Sequence, residues 1–222
     1  MSRIETFADG VTLYLGDCRD ILPTLPKHDA LVTDPPYGIG NFVQISGNVR
    51  GEAVTWNEVT PPPEFFSMVS EICRHRIIWG ANYFNCFEGG ALIWIKNQPM
   101  PNMSQAEIAS VNWGKKVSLI NLTWTNYVNN KATDHPCERP VALYQWCIKQ
   151  IPSLPDTVLD PYMGSGSVGV AAVQMGRKFT GIEISERYFD IACRRIDEAL
   201  RQPDMLIERE AEPVQIMMDI AK

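Results

Sequence analysis

The segment from Thr157 to Glu183 constrains the fold more than any other part of the sequence. A short apolar run leads into a turn that contains Gly164 and Gly166, and the helical stretch Ser167–Met175 follows. A second apolar run then ends at Glu183, close to the distance of about 20 residues at which an acid contacts ribose in βαβ nucleotide-binding units. Strand, glycine turn, helix and strand in this order predict an α/β fold with a small-molecule site at the turn.

The residue types of this turn suit a ligand that approaches the backbone closely. Gly164 and Gly166 allow the approach, and Ser165 or Ser167 is expected to cap the following helix. The free N–H groups at the start of that helix are expected to meet a carboxylate of the ligand. The turn is introduced by Asp160-Pro-Tyr. It therefore differs from the dinucleotide-binding fingerprint G-x-G-x-x-G.

Apolar runs and helical stretches alternate along the chain, as they do in βαβ units. We predict an α/β fold with a Rossmann-like, mostly parallel sheet of about seven strands and helices on both faces. The predicted strands are Thr12–Leu15, Ala30–Thr33, Arg76–Trp79, Leu92–Ile95, Leu119–Thr125, Thr157–Leu159 and Phe179–Ile184. The predicted helices are Pro63–Cys73, Val141–Gln150, Ser167–Met175 and Glu186–Arg201.

The length and composition of the chain favour one soluble domain. A chain of 222 residues suits a single domain, residues 1–222, with a short helix or loose tail over residues 203–222. No apolar run is long enough to span a membrane and no signal-peptide core follows Met1, so we expect a cytoplasmic protein without a membrane partner. The six cysteines show no C-x-x-C pair, which predicts reduced thiols and no metal site.

The quartet Asp34-Pro35-Pro36-Tyr37 follows the predicted strand Ala30–Thr33 and is the candidate catalytic motif. Two consecutive prolines fix φ and remove two backbone donors, which leaves a stiff turn with outward carbonyl oxygens. If Asp34 and the Pro35 carbonyl each accept one hydrogen of an aromatic amine, its lone pair is freed to attack a sulfonium methyl group. Tyr37 would offer its ring face to a base that has left its stack. An ordinary strand-ending turn is the alternative, since Asp-Pro and Pro-Pro mark loops.

Three motifs together resemble the S-adenosylmethionine-dependent DNA amino-methyltransferases of the beta group, with a catalytic motif of the DPPY type. The motifs are Asp34-Pro-Pro-Tyr37, His135-Pro-Cys-Glu-Arg139-Pro and Asp160-Pro-Tyr-Met-Gly-Ser-Gly-Ser167, and the resemblance covers residues 12–196 or so. The catalytic motif precedes the cofactor motif, as it does in that group. The resemblance therefore implies a circularly permuted methyltransferase order and S-adenosylmethionine as the cofactor.

The resemblance also implies which residues contact the cofactor. Glu183 would bind the ribose, and Asp17 with Cys18 would lie near the adenine. Arg139 stands where the family motif usually has lysine, which keeps the charge but changes the contact geometry. The full implied set is Asp17, Cys18, Asp34, His135, Arg139, Asp160, Tyr162, Met163, Gly164, Ser165, Gly166, Ser167 and Glu183.

The function implied by the resemblance is site-specific methylation of adenine N6 in DNA. Methylation of cytosine N4 uses the same geometry, and Asp34 favours adenine because the cytosine subgroup more often carries serine at that position. Enzymes that methylate protein glutamine resemble Asn-Pro-Pro-Tyr placed after the cofactor motif, so the motif order here disfavours them. From another class, a non-catalytic module that binds S-adenosylmethionine is disfavoured by the intact quartet. Restriction-modification, regulatory and phage-borne enzymes would share these motifs.

The acidic balance of the chain bears on its DNA partner. A formal net charge of −6 argues against tight non-specific binding but is compatible with a local positive groove. Lys96, at the end of the apolar run Ala91–Ile95, is favoured near the cleft because strand ends carry the site in this architecture. The candidates for the groove are Arg50, Arg74, Arg76, Lys96, Lys115, Lys116 and Lys131.

Two segments without regular patterning, residues 38–60 and 97–118, are predicted to contact the substrate. The first carries Phe42 and Trp56 and would close over an extruded base. The second carries amide side chains that read adenine edges and a Lys115-Lys116 pair for phosphates. Neither is long enough for a separate recognition domain. We therefore expect a short target site, a second subunit in a homodimer, or modest specificity.

Overall fold

The computed structural model describes residues 3–39, 59–97, 104–123 and 138–202. Nine strands lie within these ranges, namely β1 Arg3–Phe7, β2 Val11–Leu15, β3 His28–Thr33, β4 Cys73–Trp79, β5 Ala91–Ile95, β6 Ala106–Val111, β7 Val117–Asn121, β8 Thr157–Asp160 and β9 Lys178–Glu183. They form one sheet in the order β1-β2-β9-β8-β3-β4-β6-β5-β7. Neighbouring strands are parallel except in the pairs β1–β2, β4–β6 and β5–β6.

Six α-helices accompany this sheet in the described ranges. They are α1 Cys18–Ile21, α2 Pro63–Ile72, α3 Ala81–Phe84, α4 Val141–Gln150, α5 Ser167–Gln174 and α6 Glu186–Arg201. None of the helices in the described part of the chain is long and apolar enough to cross a membrane.

Both faces of the sheet are covered because successive strand residues point to opposite sides. Ala30 and Val32 of β3 face a core that includes residues of α4, α5 and α6, whereas Leu31 between them faces a core that includes residues of α1 and α2. The prediction of helices on both faces is therefore confirmed. The strand count is larger than the seven predicted.

The two strands missed by the sequence have different causes. β1 is a largely exposed edge strand, so it lacks a continuous apolar run. β6 lies inside residues 97–118, and the expectation of irregular chain was wrong there, because Ala106–Val111 pairs with both β4 and β5. The polar residues Glu107 and Ser110 interrupt its apolar pattern although both lie in the interior of the sheet.

The parallel strands β2, β9, β8, β3 and β4 end side by side at one edge of the sheet, which we call the carboxyl edge. Ligands bind at this edge in open α/β sheets. β3 and β8 are direct neighbours. The loop that begins at Asp34 therefore starts beside the glycine turn that follows Asp160.

Several sequence predictions lie outside the described residues. They concern the site residue His135, the aromatic residues Phe42 and Trp56, and the cations Arg50 and Lys131. The predicted tail, residues 203–222, also lies outside.

Candidate active site

Asp34 lies in a network of buried charged side chains at the carboxyl edge. Its Oδ2 pairs with Arg139 Nε at 2.5 Å, and its Oδ1 accepts a hydrogen bond of 2.6 Å from the Tyr37 hydroxyl. Burial raises the pKa of the Asp34 carboxyl, and Arg139 opposes this effect by favouring the charged form. Two of the three sequence motifs therefore meet at one carboxylate.

Arg139 is buried against the catalytic motif. Its guanidinium contacts Asp34, the Tyr37 hydroxyl and Glu107, and its centre lies 5.3 Å from the ring centroid of Trp79. Although burial opposes the charged form, Asp34 and Glu107 raise the pKa of Arg139 above its ordinary range. The guanidinium thus stays charged and fixes the orientation of the Asp34 carboxylate.

Glu107 was not among the predicted site residues, yet it completes this network. Its carboxylate contacts both Arg139 and the Lys96 ammonium group. Although burial favours the neutral form, Arg139 and Lys96 lower the pKa of Glu107. Lys96, the favoured phosphate contact, lies at the predicted edge but is buried and paired. A glutamate within the apolar pattern of Ala106–Val111 was the one sequence signal for this role.

The Tyr37 ring lies in an aromatic group formed with helix α3. It stacks on Tyr83 with ring centroids 4.6 Å apart and an interplanar angle of 14°, and it meets Phe84 edge-on. Gly80 makes this position possible, because a Cβ there would lie 2.2 Å from the ring. Tyr83 remains 42% exposed. The ring platform predicted for a base is thus at the carboxyl edge, with one face covered by a second tyrosine.

Glu183, at the end of β9, is held by the glycine turn. Its Oε2 accepts a 2.9 Å hydrogen bond from the Gly164 N–H, and its Oε1 accepts a 2.8 Å bond from the Ser185 N–H. Burial raises the pKa of this carboxyl. Gly164 and Gly166 both adopt positive φ, which glycine tolerates best. The oriented carboxylate keeps lone pairs that could accept from sugar hydroxyls.

Asp160 is buried beneath the turn. It accepts hydrogen bonds from the Thr33 hydroxyl at 2.7 Å and from the Tyr162 N–H at 3.1 Å. Burial raises its pKa to about 7. Asp160 therefore ties β8 to β3 and supports the turn from inside the protein.

The serines of the turn do not cap helix α5, so that expectation was wrong. Gly166 is the N-cap residue and makes no side-chain cap. Arg195 Nη1 instead donates to Ser165 Oγ at 2.9 Å and to Ser167 Oγ at 3.3 Å. Arg195 also pairs with Glu138 at 3.0 Å. This arginine, which the sequence did not reveal, joins the turn to the segment that precedes α4.

A cleft of about 490 Å³ opens at the ends of β2 and β9, and Asp17 is the one residue lining it among the predicted cofactor contacts that the structure describes. Asp17 lies at its wall and caps α1 by accepting a 2.9 Å hydrogen bond from the Arg19 N–H. Cys18 is buried next to it and hydrogen-bonds with Tyr162. Apolar walls with carboxylates suit a flat heteroaromatic ring joined to a sugar. The lining residues are Leu15, Gly16, Asp17, Asp20, Ile21, Ile184 and Glu186.

Some predicted residues lie away from this cleft. The Met163 side chain is buried in the core, with its sulfur 2.4 Å from where a Cβ on Gly181 would be. Four of the candidate phosphate contacts lie near the amino ends of β4 and β7, at the edge opposite the site, namely Arg74, Arg76, Lys115 and Lys116. Among the residues that the structure describes, no three potential metal ligands cluster.

Comparison with known proteins gives related sequences. Residues 91–194 match a family model described as DNA methylase. Type II methyltransferase M.HinfI of Haemophilus influenzae is 23% identical over 267 aligned residues, which cover 93% of this chain and 74% of that protein. Type II methyltransferase M2.DpnII of Streptococcus pneumoniae is 25% identical over 167 residues, which cover 72% of this chain and 56% of that protein. The chain thus spans about three quarters of one relative and little more than half of the other.

The fold is also similar to a solved structure. The crystal structure of the M1.HpyAVI–SAM complex superposes with a TM-score of 0.59 at 23% identity, over 82% of this chain and 98% of that chain. This similarity shows a Rossmann-like methyltransferase fold. The family match and the relatives support the class indicated by the sequence, the S-adenosylmethionine-dependent DNA amino-methyltransferases. They do not distinguish adenine N6 from cytosine N4 as the methylated atom.

Proposed function

We propose that this protein is a site-specific DNA adenine N6-methyltransferase of the beta group that uses S-adenosylmethionine. The observation that carries the proposal is the adjacency of the two motifs, since Asp34 follows β3 and the glycine turn follows its parallel neighbour β8. An amine held by Asp34 would lie beside a donor bound at the turn. The catalytic motif comes first in the chain, as in a circularly permuted methyltransferase.

The described residues around the turn fit S-adenosylmethionine. Glu183, oriented by two backbone N–H groups, would accept from the ribose hydroxyls. The cleft lined by Asp17 and Ile184 would take the adenine ring, with Cys18 packed behind it. When bound, the cofactor supplies a methyl group carried on a sulfonium centre. The carboxylates at the carboxyl edge complement the positive charge of that centre. A solved structure of similar fold, M1.HpyAVI, is a complex with this molecule.

The catalytic quartet would hold the amino group of a flipped base. Each Asp34 oxygen has a second lone pair beyond the one used by Tyr37 or Arg139, so it can also accept from the amine. The Pro35 carbonyl would accept the other amine hydrogen. Pro36 keeps the backbone of the quartet rigid. Because Arg139 and Tyr37 fix the carboxylate in advance, little reorganisation is needed at the moment of attack. Tyr37, with Tyr83 beside it, offers aromatic surface to the base.

We favour adenine over cytosine because Asp34 occupies the first position of the quartet. Cytosine N4 remains the alternative acceptor, since its amino group requires the same two hydrogen-bond acceptors. A binding module without catalysis is disfavoured, because the Asp34, Tyr37 and Arg139 contacts form an ordered network that cofactor binding alone does not require.

DNA is the proposed macromolecular partner. The proposed contacting segments are residues 38–60 and the part of residues 97–118 that precedes β6, since Lys115 and Lys116 lie at the opposite edge of the sheet. The names of the relatives M.HinfI and M2.DpnII are those of Type II methyltransferases. We therefore propose a role in restriction-modification, with a short target site, a second copy of the chain that completes recognition, or modest specificity.

The test is to incubate the protein with S-adenosylmethionine and genomic DNA that lacks methylation, and then to analyse the nucleosides by mass spectrometry. We expect N6-methyladenine, and modification-aware sequencing of the same DNA would give the target site. N4-methylcytosine would replace the adenine assignment. No transferred methyl group with any DNA tested would contradict the proposed activity.

A further inference from the structure

A buried chain of four alternating charges connects β5 to the Asp34 carboxylate. Lys96 contacts Glu107, Glu107 contacts Arg139, and Arg139 contacts Asp34. The four side chains are only 7% to 18% exposed. The chain brings together β5, β6, the segment before α4 and the loop after β3, so it is assembled by the tertiary fold.

Stability alone does not explain a chain of this kind. Charges removed from water need partners, and apolar residues of similar volume often stabilise a fold as well or better. The chain ends on the carboxylate that the proposed reaction uses. Lys96 and Glu107, the two members farthest from Asp34, do not line the cleft described above. Glu107 acts on Asp34 in two ways, because it holds Arg139 and its own negative charge raises the pKa of Asp34.

We propose that Glu107 is a positioning residue for methyl transfer, which holds the Arg139 guanidinium and shares its charge so that Asp34 stays available to the substrate amine. This inference rests on the proposed function, because it extends the role of the same site. Without Glu107, the full charge of Arg139 would fall on Asp34 and draw the carboxylate away from the amine. Lys96 limits the pull of Glu107 on Arg139 in the same manner.

The charges around Asp34 predict the direction in which each substitution shifts the pKa of Asp34. Burial raises the pKa of Asp34, Arg139 lowers it and Glu107 raises it. Removing the charge of Glu107 therefore lowers the pKa of Asp34, whereas removing the positive charge of Lys96 raises it. The other titratable groups near Asp34, which stay the same in both changes, are Tyr37, Tyr144 and Asp160.

Two neutral variants of similar size, Glu107→Gln and Lys96→Met, test the inference. The methyl-transfer rate is measured under single-turnover conditions with saturating S-adenosylmethionine and unmethylated DNA, from pH 5 to about 9 to cover the range of a raised carboxyl pKa. Glu107→Gln should lower the plateau rate about 10- to 100-fold, because the carboxylate is misplaced. Its acid limb should move to lower pH, and that of Lys96→Met should move to higher pH. Cofactor affinity by calorimetry should stay unchanged.

The outcomes separate the inference from the proposed function. A folded Glu107→Gln protein with the wild-type rate and acid limb would overturn the inference, as would shifts of the same sign in both variants. If Glu107→Gln does not fold, Lys96→Met decides alone, because its acid limb must still move upward. Wild-type protein that transfers no methyl group would instead overturn the proposed function and the inference with it.

Discussion

The Thr33 hydroxyl donates a hydrogen bond of 2.7 Å to Asp160 Oδ1, and this bond joins the strand that leads to the catalytic quartet to the strand that leads to the glycine turn. Both residues are buried. Because β3 and β8 are parallel neighbours, the bond fixes the height of Asp34 relative to the turn. The two halves of the site are thereby held in one position relative to each other.

Replacing Thr33 by valine keeps the shape of the side chain but removes this donor. We expect Thr33→Val to lower the free energy of unfolding by about 0.5–1.5 kcal/mol, because Asp160 Oδ1 loses one of its two donors and keeps the Tyr162 N–H. Urea denaturation measures the loss. The control is Thr12→Val on a partly exposed position of β2, which should change the free energy by less than about 0.5 kcal/mol. Equal losses in the two variants would argue against the role of the bond.

The buried Asp160 carboxyl should make stability depend on pH. Burial raises its pKa from 3.8 to about 7, so between these values the folded state binds the proton more tightly than the unfolded state does. The contribution of Asp160 to stability therefore falls as the pH rises from about 4 to about 7. Asparagine keeps an oxygen for Thr33 and cannot ionise.

Urea denaturation of wild type and Asp160→Asn across this range checks the prediction. The difference in unfolding free energy should move in favour of the variant as the pH rises. A difference that is constant from pH 4 to about 8 would show that Asp160 does not titrate in this window.

Gly80 should be required for the position of Tyr37. Gly80 and Gly114 both adopt positive φ, but a Cβ on Gly80 would lie 2.2 Å from the Tyr37 ring, whereas a Cβ on Gly114 would have its nearest neighbour at 4.0 Å. Gly80→Ala should therefore lower the methyl-transfer rate by about 100-fold, as expected for a misplaced catalytic group. Gly114→Ala carries a similar backbone strain of about 1–2 kcal/mol and should keep the rate. Similar rates in the two variants would contradict the prediction.

Two substitutions of Tyr37 separate the ring from the hydroxyl. Tyr37→Phe keeps the stack on Tyr83 and loses the hydrogen bond to Asp34, whereas Tyr37→Ala loses both. If stacking on the base dominates, only the alanine variant should weaken binding of the target strand, by about 1–3 kcal/mol. Fluorescence anisotropy with labelled DNA measures this affinity. Equal losses would show that the hydroxyl is the important group.

Glu183 should contribute to the affinity for S-adenosylmethionine and not to the affinity for DNA. Glu183→Ala should weaken S-adenosylmethionine binding by about 1.5–3 kcal/mol, because the ribose loses a charged acceptor. Isothermal calorimetry measures this affinity, with Glu198→Ala at an exposed position of α6, outside the cleft, as the control. Unchanged affinity in the Glu183 variant would remove this residue from the cofactor site.

The parts of the site that follow from contiguous sequence were predictable. The glycine turn and the quartet each carry their own backbone requirements, so their residue types reveal them without knowledge of the fold. Helices Val141–Gln150 and Glu186–Arg201 begin and end at the predicted residues. Their apolar periodicity spans several turns, which makes the pattern strong.

The parts that depend on tertiary contacts were not predictable. Glu107 is buried only because Lys96 and Arg139, from distant parts of the chain, surround its carboxylate. Arg195 lies on an amphipathic helix, where an arginine is typical of a solvated face, and it contacts Ser165 only once α6 has packed beside the turn. Local pattern carries no information about such pairings.

The central claim is that Asp34 holds the amino group beside the bound donor, and the single-turnover methyl-transfer rate of Asp34→Ala tests it most directly. The rate should fall by about 100- to 1,000-fold, as when a preorganised group is removed from a transition state. S-adenosylmethionine affinity should stay close to wild type, and Asp156→Ala at an exposed position should keep the full rate. A folded Asp34→Ala protein that binds the cofactor and methylates DNA at the wild-type rate would contradict the account.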